Sequence, residues 1–191
     1  KKILVVRPNH RLGNLLLLTP LIQELEITFP DAKIDVLIKG GLGPIIFKNF
    51  QVIDTIISLP KRPFSNILKY VSIWVRMIFL KYDLVVDAVK GSSSGKLLTL
   101  ISRSENKLYQ GEKYDIFDNG SFHQAKKSIF NLRDAMSKCI ADQSLTHIPL
   151  LDIKLNEDEV RTGKEVLETL VGKNSKTIAI FTYATGNKCY S

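Results

Sequence analysis

The sequence predicts an α/β fold: a predominantly parallel sheet covered by helices on both faces. Two observations carry this. Short, nearly uninterrupted apolar runs alternate with helical stretches in the first half of the chain, and strands without polar alternation are those that a sheet buries on both faces. Glycine-bearing loops follow the second and fourth of these runs, at the strand ends where open parallel sheets place their ligands.

The predicted strands are residues 3–6, 33–38, 54–59 and 84–89, each rich in Ile, Val or Leu. Between the first two lies a segment from Asn14 to Phe29 that contains Pro20. A proline inside a helix clashes with the preceding turn, whereas Thr19-Pro20 can serve as a cap and first helical residue. A helix kinked at Pro20 and a loop followed by a shorter helix therefore both fit. Residues 67–80 form an apolar stretch in which Lys69, Ser72 and Arg76 recur at spacings of three and four, so these three line one face of a helix. Fourteen residues fall short of the roughly 20 that cross a bilayer. This helix packs on the sheet, with contact at a bilayer surface as the alternative.

Beyond Leu100 the pattern weakens through Asn119 and Gly120, then residues 128–140 read as another helix. Residues 147–151, with Pro149, read as a connection between domains. Asn156 can cap a helix over 156–170, Glu157 and Glu159 suit its first turn, Gly172 closes it, and residues 177–181 resemble a buried strand. The expected organisation is a first domain over residues 1–150 and the incomplete start of a second over 151–191, because one helix and one strand do not close a core.

Composition narrows the function classes. With 45% hydrophobic and 24% charged residues the chain is of ordinary globular type. A net charge of +8, from 27 Lys and Arg against 19 Asp and Glu, favours an anionic partner. Cys139 and Cys189 have no CxxC spacing and only three His accompany them, which points to two unpaired thiols in a reducing compartment rather than a zinc site or a disulfide framework. The first apolar stretch is too short for an export signal, so a cytoplasmic protein is expected. Bulk charge without zinc-finger spacing or an RNP-like aromatic motif argues against nucleic acid.

Three loops can carry chemistry. The first reads Arg7-Pro8-Asn9-His10-Arg11-Leu12-Gly13-Asn14. Its single glycine argues against a dinucleotide fingerprint. Arg7 and Arg11 can hold a carboxylate or phosphate through paired hydrogen bonds, or can simply be solvated surface cations. The Gly91-Ser92-Ser93-Ser94-Gly95-Lys96 stretch can bind a sugar or an anion at a helix start, and equally can serve as turn and cap. The last, Thr182-Tyr183-Ala184-Thr185-Gly186-Asn187-Lys188, can wrap a phosphate with backbone donors while the lysine balances charge, although it is not a Walker A motif.

Several linked segments resemble those of glycosyltransferase family 9, the ADP-heptose:lipopolysaccharide heptosyltransferases. They are Ile3-Leu4-Val5-Val6-Arg7 through Arg11-Leu12-Gly13-Asn14, then Leu17-Leu18-Thr19-Pro20-Leu21, then Phe29-Pro30-Asp31-Ala32-Lys33-Ile34-Asp35-Val36-Leu37. The likeness continues through Tyr82-Asp83-Leu84-Val85-Val86-Asp87 with its Gly/Ser loop, and returns at residues 177–188. Residues 105–142 match only loosely.

The resemblance implies a GT-B fold, with a Rossmann-like N-terminal domain on the acceptor side and the start of a second Rossmann-like domain that holds the donor. It implies a metal-independent, inverting transferase with no cofactor. The donor is a nucleotide sugar, ADP-linked, and the acceptor an anionic lipid-linked glycan of lipopolysaccharide type, which places the enzyme at the inner face of the bacterial inner membrane. On the donor side it implies Lys188 on the phosphates, supported by Thr185 and Gly186. On the acceptor side it implies Arg7, Arg11 and Gly13, with Ser93 and Ser94 in the neighbouring loop.

Asn14 departs from the family pattern, which has Asp after the glycine as the proposed general base. An amide does not accept a proton near neutral pH. Asn14 then only positions the acceptor hydroxyl, or another residue is the base, or the chain is an inactive carbohydrate- or nucleotide-binding scaffold, or an aspartate was replaced. His10 and Asp87 are the other candidates for the base, each with an ordinary structural alternative.

Overall fold

A computed structural model describes residues 1–62, 66–89, 91–109, 124–137, 148–173 and 175–178. The chain divides into two compact units, Lys1–Lys154 and Leu155–Ser191.

The first unit is built on five parallel strands: β1 (Lys2–Arg7), β2 (Lys33–Lys39), β3 (Ile53–Leu59), β4 (Leu84–Asp87) and β5 (Asn106–Tyr109). Their order across the sheet is β3-β2-β1-β4-β5. The central strand is buried over Ile3, Leu4, Val5 and Val6, as the unbroken apolar run predicts. Its neighbours pair in register, Val5 with Val36 on one side and with Val86 on the other. The fifth strand was not visible in the sequence. Its residues Asn-Lys-Leu-Tyr are half-buried or exposed, so an edge position relieves it of the apolar pattern by which buried strands are recognised.

Helices cover both faces. On one lie α1 (Leu12–Leu16), α2 (Thr19–Thr28), α3 (Gly43–Ile46) and α6 (Gln124–Ser137), packed over Ile3, Val5, Ile34 and Val36 through Leu15, Leu21, Leu25, Ile46 and Leu132. On the other lie α4 (Ile67–Phe79) and α5 (Ser93–Ile101), which cover Leu4, Val6, Leu37 and Val85 with Ile73, Met77 and Leu98. The ambiguous segment around Pro20 resolves into two helices. The first ends at Leu16 and the second starts at Thr19 with Pro20 in its first turn, where the missing N–H is no loss. The Thr19 hydroxyl closes the break by donating to the Leu16 carbonyl at 2.9 Å.

Two buried polar contacts fix this packing. Arg133 on α6 donates to both carboxylate oxygens of Glu24 on α2, at 2.6 and 2.9 Å, a bidentate pairing that sets the helix–helix register. Tyr82 donates its hydroxyl to Asp35 at 2.8 Å inside the sheet, with the Lys2 ammonium 3.3 Å from the same oxygen. The segment leading out of the unit is also tied to α2. Gln23 donates to the Leu150 carbonyl at 2.8 Å, the Asp152 N–H to the Thr19 hydroxyl at 3.2 Å, and Lys154 pairs with Glu26 at 2.6 Å.

The second unit is described through α7 (Glu157–Val171). Asn156 caps it by accepting from the Glu159 N–H at 2.8 Å, while Glu159 reaches back to the Asn156 N–H at 3.0 Å. This reciprocal box satisfies two backbone donors at once. The expected strand at 177–181 falls mainly outside the described residues, as do Cys139 and Cys189.

Candidate functional site

Strand order defines the site. The chain passes from β1 to β2 on one side and returns to β4 on the other, so the loops after β1 and β4 part at the carboxyl edge, where this topology places a ligand crevice. Residues from those two loops and their helix starts line it.

Arg7 closes β1 and reaches across the crevice, where its Nη1 donates to the carbonyl of Ala88, just past β4. Its Nε is buried without a hydrogen-bond partner among the described residues. Burial lowers the pKa of this guanidinium, and Asp87 acts in the opposite sense. Asp87 ends β4 and is only 2% exposed. Burial raises its carboxyl to about 6, with the Val89 N–H and the charges of Lys96 and Arg7 opposing the shift. The Val89 N–H donates to its Oδ1 at 3.1 Å. That oxygen also lies 3.1 Å from where a Cβ on Gly95 would stand, a tight contact that would press on Asp87.

The Gly/Ser loop is a helix start. Ser92 caps α5 by accepting from the Gly95 N–H at 3.1 Å, and its hydroxyl is 3.2 Å from that of Ser94. Ser93 is exposed at the first helical position and Ser94 is half-buried. Gly91 holds φ of +74°, a conformation that a side chain would strain.

On the β1 side, His10, Arg11 and Gly13 are exposed and Asn14 is half-buried, all within or just before the first turn of α1. A Cβ on Gly13 would meet nothing within 4 Å, so the surface there is open. The Asn9 side chain holds the loop by accepting from the Arg11 N–H at 2.9 Å, and the Asn9 carbonyl accepts from Lys39 N at 3.2 Å. Gly40, with φ of +82°, sits where three segments meet: a Cβ on it would lie 3.0 Å from the Lys61 stem and 3.3 Å from His10.

The structure therefore brings Arg7, His10, Arg11, Gly13 and Asn14 to the edge where Asp87, Ser93 and Ser94 also lie. Lys39 and Lys61, which the sequence reading did not assign to a site, add positive charge along this edge, as does Lys96 from the Gly/Ser stretch. Lys39 ends β2 and Lys61 follows β3 by two residues, whereas Lys96 stands in the first turn of α5. Thr185, Gly186 and Lys188 lie outside the described residues. Among the described residues no group of His, Cys, Asp and Glu is arranged to hold a metal ion.

No family model matches the sequence, and no curated protein matches it. Solved structures do. The glycosyl transferase family 9 protein of Veillonella parvula superimposes with a TM-score of 0.67 at 19% identity, over 93% of this chain and 51% of that one. Heptosyltransferase WaaC of E. coli, solved with ADP, gives 0.59 at 16% identity, over 83% and 55%. The ADP-heptose lps heptosyltransferase II of E. coli gives 0.54 at 15%, over 87% and 50%. The chain spans about half the length of these proteins and shares their fold, the first unit being a Rossmann-like domain of GT-B type.

Proposed function

We propose that this chain forms the acceptor side of a glycosyltransferase, and that the crevice between the β1 and β4 loops receives the acceptor. The reaction is transfer of heptose or a related sugar from a nucleotide diphosphate, ADP-linked, to an anionic glycan of lipopolysaccharide type. The supporting observation is the cationic carboxyl edge on a fold shared with heptosyltransferases. Arg7 and Arg11 meet acidic groups of the acceptor. The exposed Ser93 hydroxyl offers hydrogen bonds to sugar. Lys188, Thr185 and Gly186 belong to the donor phosphates in this reading, and no metal is required.

The chemistry is inverting displacement: the acceptor hydroxyl attacks the anomeric carbon as the bond to the departing diphosphate breaks, and the hydroxyl proton passes to a base. Asn14 orients that hydroxyl without taking its proton. Of the two titratable candidates, His10 is exposed on the loop, whereas Asp87 is enclosed beside Gly95 and acts as a positioning residue that holds Arg7 and the β4 loop.

Asn14→Asp tests the assignment. In single-turnover transfer from ADP-heptose, with the longest native polypeptide that carries this chain, the variant accelerates chemistry by about 10²-fold or more, the usual contribution of a positioned base. An unchanged rate would show that position 14 does not face the reacting hydroxyl. Nucleotide and acceptor binding without transfer in either form would favour a second reading, a non-catalytic scaffold of the same fold.

A further inference from the structure

Helix α4 is held to the sheet by a narrow stripe. Ile73 and Met77 are buried against Leu4, Leu37 and Val85, and Tyr70 and Trp74 pack beside them. The rest of its apolar surface faces outward: Ile67, Leu68, Val71, Val75, Ile78 and Phe79 are all exposed, Leu68 to 85% and Phe79 to 74%. At 100° per residue these six fall within one arc of roughly 120°, opposite the buried stripe. Ser72, Arg76 and Lys69 follow in that order along one border of the arc, all exposed.

The charge around this arc has one sign. No acidic residue occurs from Thr55 to Tyr82, while Lys61, Arg62, Lys69, Arg76 and Lys81 do. The neighbouring α5, on the same face of the sheet, adds exposed Leu97 and Leu100 with the exposed cations Lys96 and Arg103 beside them. A protein interface tends to bury aromatics at its core and to exclude lysine. Here the exposed arc is five aliphatic residues and one Phe, bordered by Lys and Arg. That is the pattern of a helix lying in a bilayer interface, with its apolar side among acyl chains and its cations on lipid phosphates. Thirteen residues give a helix about 20 Å long, and no described helix is long and apolar enough to cross a membrane.

We propose that the outer face of α4, extended by Leu97 and Leu100 of α5, docks this protein onto an anionic lipid bilayer, the helix lying flat in the interface. The inference rests on these two helices alone and stands whether or not the crevice transfers sugar.

The test is flotation of the full chain with vesicles of 30% phosphatidylglycerol in phosphatidylethanolamine, and with pure phosphatidylcholine. The protein floats with the anionic vesicles and at least about tenfold less with the neutral ones, the preference shrinking at high salt. L68Q/F79Q lowers binding to the anionic vesicles by about tenfold or more, because two large side chains no longer leave water. K69E/R76E removes the preference for anionic lipid. Trp74, the single tryptophan, borders the arc, so its fluorescence is quenched by lipids brominated on the acyl chain.

Several results overturn the proposal: no flotation with either vesicle, flotation that both variants leave intact, or Trp74 emission untouched by brominated lipid while the protein floats. So does self-association that L68Q/F79Q abolishes without any vesicle binding, which would make the face a contact between copies. Circular dichroism and thermal unfolding confirm that the variants stay folded, which their exposed positions favour.

Discussion

Helices α4 and α7 both carry apolar residues that the described structure leaves in water, and their surroundings differ in two ways. Helix α4 has a buried stripe and no acidic residue, with Lys69 and Arg76 on its surface. Among the described residues helix α7 buries none of its own; Val160, Val166, Leu167 and Leu170 are exposed among Glu157, Asp158, Glu159, Glu165 and Glu168. Apolar exposure alone therefore does not identify a docking surface. The border decides: carboxylates repel an anionic bilayer while lysines and arginines seek it. Tertiary packing holds α4; within α7 the described residues show local support, a capping box and an i,i+3 pair of Arg161 with Asp158 at 2.7 Å.

The contrast can be broken most forcefully at Met77, which is fully buried beneath α4. Met77→Ala costs about 2–5 kcal/mol of the first unit's stability through lost burial and the cavity left behind, measured by urea denaturation. A loss no larger than that of an exposed-site change would mean that α4 is not anchored by this stripe. Asn156→Ala comes next, costing α7 about 1 kcal/mol. Amide exchange of α7 quickens accordingly while amides of β1 and β2 stay protected, and simultaneous loss of protection in both would refute the separation of sources. Smallest is Leu68→Ser, which shifts stability by no more than about 0.5 kcal/mol at so exposed a site. A clear drop in the urea midpoint would place Leu68 in a packed interior instead.

The sequence made the sheet legible wherever burial left its mark. Strands β1 to β4 are apolar runs because both their faces are covered. Around Pro20 the sequence leaves a kinked helix and a later helix start both open, and the structure starts the helix at Thr19 with Leu18, not Thr19, as its cap. The helical nature of residues 93–101 was harder to see, since Ser-Ser-Gly-Lys reads as a loop until Ser92 is known to cap it. At the site, Arg7 and Asp87 stood out as polar residues at the ends of apolar strands. The link from Arg7 to Ala88 did not, because it joins positions 81 residues apart, and no local pattern encodes that meeting. Likewise Lys61 and His10 both come close to Gly40, from parts of the chain that no local pattern links. For α4, periodicity placed Lys69, Ser72 and Arg76 on one face, but which apolar flank stays uncovered depends on where Ile73 and Met77 meet the sheet.

The central position of β1 has a consequence for the order in which the molecule takes shape. Of the five strands β1 comes first along the chain, yet its partners arrive at different times: β2 follows after a helical hairpin's length of chain, β4 only after β3 and α4 have also been made. Until then one edge of β1, apolar from Ile3 to Val6, is an unpaired template of the kind that recruits foreign strands. The crevice does not exist in that interval, since its second wall is unmade. The open edge of β1 is thus closed in a single late event, the docking of residues 84–87 against residues 3–6.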